Sequence, residues 1–110
     1  QLVGPANAKD IMFSARFMNA DEALGMGLIN KIYAYSDLEK EVRNYAKLIA
    51  GNAPLTIRAA KAAINESQKD PEQRDLSIIR QMIDACFDSE DYKEGRLAFR
   101  EKRKPVFRGE

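Results

Sequence analysis

Apolar residues along this chain recur mostly at spacings of three and four, the period of a helix face rather than of a strand. Behind Pro5, whose missing N–H is no loss in a first helical turn, Ala8, Ile11, Met12 and Ala15 form one such stripe. Asn19-Ala20-Asp21-Glu22 has the form of a capping box opening a short helix, and Gly27 suits the left-handed position that closes it. A second box, Ser36-Asp37-Leu38-Glu39, precedes a stripe of Leu38, Val42, Tyr45 and Ile49 that Gly51 ends. Pro54 starts an alanine-rich helix expected to turn Ile57, Ala60 and Ile64 inward. Asp70-Pro71 pairs a cap with a first-turn proline, Gln73 sits at the third helical position, and Leu76, Ile79, Ile83 and Cys86 follow as a stripe. Ser89 caps a last helix, favoured by Asp91 near its positive end. Lys104-Pro105 is expected to end it, because the residue before proline leaves the α region. Only Leu28 to Tyr33, apolar and β-branched, reads as extended. The pattern predicts an all-α chain of about six helices. The long ones lie near residues 37–50, 54–67 and 71–88, with no repeat and no long linker.

Length fits this picture: 110 residues make one domain or part of one, burying roughly 60–65% of the extended surface. An apolar share of 45% beside 32% charged residues is that of an ordinary soluble protein. No apolar run nears the roughly 20 residues of a membrane span, and no signal peptide precedes the first helix. The single Cys86 cannot form an internal disulfide and agrees with a reducing, cytoplasmic setting. Gln1 stands where an initiating methionine would, and Gly4-Pro5 comes almost at once, so a segment of a longer protein is expected.

Charge changes the picture at one end. Residues 93–108 hold seven cations against two acids, a net of +5, leaving −4 for the rest. Such an end points to phosphate or carboxylate partners, or to a solvated charged face. Much chemistry is missing. There is no histidine, no zinc or calcium ligand spacing and no glycine-rich phosphate loop. Cys86 lies on an apolar stripe and reads as packing. Glu90, Asp91 and Glu94 cluster at a helix start, where the dipole accounts for them. Lys61, amid alanines, either lays its stem across small residues or grips a phosphate. Gly95, Phe99 and Lys102 fall at i, i+4 and i+7, one face of the last helix. That stripe reads first as a docked helix with Phe99 in the core, and second as a surface for an anionic ligand with a flat ring. By residue chemistry alone the chain is a helical binding or assembly module.

Several motifs, in order, resemble one family. Ala20-Asp21-Glu22-Ala23-Leu24 with Gly27-Leu28-Ile29-Asn30-Lys31-Ile32 is similar to a segment of enoyl-CoA hydratase/isomerase (crotonase) proteins. So is Ala60-Lys61-Ala62-Ala63-Ile64-Asn65. Ser89-Glu90-Asp91-Tyr92-Lys93-Glu94-Gly95, Ala98-Phe99 and Glu101-Lys102-Arg103-Lys104-Pro105-Val106-Phe107 resemble the family's closing motif. The resemblance implies the C-terminal helical part of an acyl-CoA enzyme, whose preceding part is a spiral of ββα turns. That part would carry the oxyanion donors and the glutamates, so no catalytic residue and no metal site is assigned here. The family's chemistry is enolate stabilisation with general acid/base catalysis. Phe99 and Lys102 match residues that approach the adenine and phosphates of CoA, and Lys61 matches a recurrent lysine. The implied partners are an acyl-CoA thioester and further copies of the chain, as a trimer or hexamer. No cofactor beyond the CoA of the substrate, no nucleic acid and no membrane is expected. A 2-enoyl-CoA hydratase is the leading activity, with isomerase as the alternative. A free-standing nucleic-acid-binding or assembly module is the alternative of another class.

Overall fold

A computed structural model describes residues 2–110, as six α-helices with no strand among the described residues. They are α1 (Gly4–Ser14), α2 (Ala20–Gly25), α3 (Leu38–Ala50), α4 (Pro54–Ser67), α5 (Leu76–Asp88) and α6 (Glu90–Glu101). The chain divides into two compact units, Gln1–Val42 and Arg43–Glu110, with the division inside α3.

In the first unit, α1 stops at Ala15, which takes a left-handed conformation at φ 48°. The next residue, Arg16, reaches Asp10 Oδ2 at 3.2 Å and Glu22 Oε1 at 2.9 Å. The capping box of α2 forms as its sequence requires. Glu22 N–H donates to Asn19 Oδ1 at 2.8 Å, and Asn19 N–H donates to Glu22 Oε2 at 3.0 Å. That backbone bond, and then Arg16, hold the Glu22 carboxyl below its ordinary range. Gly27, at φ 76°, closes α2, with its N–H on Leu24 O and the Leu28 N–H on Ala23 O. The extended segment expected over residues 28–33 does not form a strand. Leu28 and Ile29 both donate to Ala23 O to finish the helix, and no neighbouring strand exists among the described residues to pair with. α3 starts at Leu38, one residue later than a Ser36 cap would place it, since the Asp37 carbonyl accepts the first helical bond, from Glu41.

In the second unit, α4 packs on α5 and α5 on α6. The continuous helix expected over residues 71–88 is in fact a 3-10 turn, Pro71–Gln73, followed by α5. Asp70 makes no side-chain cap, whereas Asp75 accepts from Ser77 N and Ile78 N, both at 3.1 Å. A stronger cap downstream therefore restarts the helix. The inward residue of α4 is Ala59 rather than Ile64, which stays mostly in solvent. Buried apolar side chains are small or few: Ala59, Ile79 and Ala98 here, Ala23 in the first unit. Among the described residues no large side chain is fully buried, and the Leu38, Val42, Tyr45 and Ile49 stripe is exposed.

Candidate functional site

The site is built on α6 and the tail behind it. Ser89 Oγ accepts from Tyr92 N–H at 3.0 Å and donates to Cys86 O at 2.7 Å, fastening the end of α5 to the start of α6. α6 is shorter than Lys104-Pro105 implies, ending at Glu101. Lys102 comes next with a left-handed φ of 54°, its N–H on Phe99 O at 3.2 Å, and Arg103 N–H on Ala98 O at 3.0 Å. These two bonds are the Schellman closure, which satisfies the last carbonyls before proline could intervene. Lysine occupies the position that usually belongs to glycine.

From Arg103 the tail runs back along α6, held by two carboxylates. Glu94 takes the Arg103 guanidinium in a fork, at 2.6 and 2.8 Å, and also accepts from Val106 N–H at 2.9 Å. Arg103 is further paired with Glu101 at 2.7 Å. The Arg103 bond first, then the Val106 amide, hold the Glu94 carboxyl down to about 2, and the pairing raises Arg103 in turn. Asp91, only 4% exposed, accepts Arg108 N–H at 2.7 Å and Gly109 N–H at 2.8 Å on its two oxygens. Its own N–H donates to Glu110 O at 3.1 Å. These acids do more than complement a dipole, which is all the sequence pattern assigns them. A carboxylate that accepts backbone amides across a chain reversal leaves no periodic trace in sequence.

The tail brings Phe107 against Gly95, where a Cβ added to the glycine would stand 3.6 Å from the ring. Between α4, α5, α6 and the tail lies an apolar hollow of about 630 Å³. Its walls include Ala59, Ala60, Ala63, Ile83, Cys86, Phe87, Gly95, Phe99 and Phe107. Of the expected stripe, Gly95 and Phe99 line this hollow, with Phe99 still 87% exposed. Lys102 lies past the helix end and is absent from the lining. Lys61 is exposed on α4 and also outside the hollow, although Ala60 and Ala63 line it. The three residues expected to hold CoA are thus not gathered into one pocket of this chain. Beside the hollow, Arg96 lies over the Tyr92 ring at 5.9 Å, and Phe87 meets Tyr92 edge-on at 5.1 Å. The cationic end is partly neutralised, since Lys93 pairs with Glu90 as Arg103 does with Glu94 and Glu101. No cluster able to hold a metal occurs among the described residues. None of the described helices is long and apolar enough to cross a membrane.

The helical architecture and the closing motif point to one protein family, and comparison bears this out along the whole chain. The profile of the enoyl-CoA hydratase/isomerase family matches residues 1–110, and the chain belongs to that family. It is 41% identical over 107 residues to a crotonyl-CoA hydratase of Syntrophomonas wolfei, covering 97% of this chain and 41% of that protein. Against a short-chain-enoyl-CoA hydratase of Clostridium acetobutylicum it is 38% identical, over 94% of this chain and 40% of that one. The crystal structure of an enoyl-CoA hydratase from Bacillus anthracis superposes with a TM-score of 0.87 at 33% identity, over 99% of this chain and 42% of that one. The chain therefore spans about two fifths of the length of these relatives.

Proposed function

We propose that this chain is the CoA-holding, C-terminal helical part of an enoyl-CoA hydratase that adds water to a 2-enoyl-CoA thioester. The observation that carries the reading is the identity to a crotonyl-CoA hydratase along nearly all of the chain. Phe99 offers an exposed aromatic face for adenine, and Lys102 a cation for phosphate, at the end of one helix. Lys61 is a further candidate for phosphate, on α4. The enolate-stabilising and proton-moving groups belong to the part of the family fold that the chain does not span, so no residue here is given a catalytic role. Assembly into trimers or hexamers belongs to the same proposal, and the exposed apolar stripes support it. A nucleic-acid module has less to stand on, because Lys93 and Arg103 are already engaged by Glu90, Glu94 and Glu101.

The test is an assay of crotonyl-CoA hydration by a protein of full family length carrying this segment, followed as loss of the conjugated thioester's absorbance. Turnover that falls with Lys102→Met chiefly through a higher KM supports the reading. A protein that leaves crotonyl-CoA untouched would sink it.

A further inference from the structure

Lys102 is a lysine in a conformation that L-residues avoid, and the structure holds it there by means outside its own side chain. The Schellman bonds of Lys102 and Arg103 would form more readily with glycine in the left-handed position. The next residue along is an arginine fixed from two sides, by the fork to Glu94 and by Glu101. The same arrangement occurs in the first unit. Ala15 is left-handed at φ 48°, and its successor, Arg16, is held by Asp10 and Glu22. Both non-glycine residues of positive φ among the described residues thus precede an arginine clamped between two carboxylates. Backbone strain persists only where surrounding contacts over-determine it, and these clamps supply the contacts.

We propose that Glu94 is a positioning residue for Lys102: acting through Arg103, it holds the left-handed turn that aims the Lys102 ammonium at a phosphate of CoA. The inference rests on the functional reading above. Glu94 itself touches no ligand in this scheme. Its carboxylate fixes the guanidinium, the guanidinium fixes the backbone after Lys102, and that backbone sets where the lysine stem departs from the helix end.

The experiment is an NMR titration, with CoA at fixed ionic strength, of a protein of full family length carrying this segment, comparing the native sequence with Glu94→Gln, Arg103→Lys and Lys102→Met. Simple electrostatics and positioning give opposite signs. Glu94→Gln removes a negative charge and releases Arg103, which by field alone tightens binding of an anion. Positioning instead expects Glu94→Gln to weaken binding by about fivefold, the size of one exposed charge-assisted contact. Arg103→Lys, which keeps the charge but not the fork, is expected to weaken it similarly. Both variants are expected to lose the positive-φ coupling constant of Lys102 while the amides of α6 stay helical. If native Phe99 and Lys102 signals do not move with CoA, the CoA reading fails and takes this inference with it. If they move, but Glu94→Gln and Arg103→Lys bind as tightly as the native chain, only the positioning role is overturned.

Discussion

Lys102 carries a conformational cost at one residue, its left-handed backbone. Replacing it with glycine removes the left-handed strain and is expected to raise stability by about 0.5–1 kcal/mol, read from thermal unfolding. On the CoA reading the same change removes the phosphate contact, so stability and binding should move in opposite directions. Gly95 is a different case. Nothing lies closer to its Cβ position than the Phe107 ring at 3.6 Å, an ordinary contact, so the described chain does not itself demand glycine there. Glu94 gives a pH dependence whose sign is fixed by its depressed carboxyl. Its ordinary value is 4.5 and its folded value about 2, so its contribution is complete above about 4.5 and fades as pH falls towards 2. The stability difference between the native chain and Glu94→Gln is expected to shrink across that window in acid titrations followed by circular dichroism. A difference that stays constant from pH 5 to about 2 would contradict the assigned pairing.

At the scale of elements, α6 and its tail form a hairpin of helix and strap, closed by Asp91 and Glu94. Asp91→Ala leaves the Arg108 and Gly109 amides without their acceptor, at a cost of about 1.5–3 kcal/mol for bonds to a charged group. Hydrogen exchange should then speed up at Arg108 and Gly109, and much less at Ala98, which is completely buried within α6. Helices, unlike this strap, were legible in sequence. The Asn19–Glu22 box, the Pro54 start and the Ser89 cap all formed, because each depends only on backbone and side chains within one helical turn. Boundaries failed where two local signals competed. Asp75 displaced Asp70 as the cap of α5, and the Schellman turn at Lys102 preceded the break at Lys104-Pro105. The expected Gly95–Phe99–Lys102 stripe split for the same reason, since a helical period places a residue only while the helix lasts.

For the molecule as a whole, the decisive feature is how little of its apolar surface is covered. Leu38, Val42, Ile64, Leu76 and Phe99 all stand in solvent, and the buried set is dominated by alanine. Periodicity announced these faces but could not say what meets them, because a stripe looks the same whether its partner is the same chain or another. Residues 1–110 alone are therefore expected to self-associate, giving a light-scattering mass that rises with concentration above the 12.4 kDa of one chain. A mass that stays at one chain up to high concentration would show that these faces need no partner.

The strap of α6 also bears on the order of events during folding. Every side-chain bond that Asp91 and Glu94 make to the tail joins residues no more than 18 apart in sequence. Closing loops of this size takes well under a microsecond, and their entropic cost grows only slowly with length. The closing hairpin can thus take shape before contacts distant in sequence are made, so substitutions in its latch should be felt in the rate of folding as well as in its equilibrium.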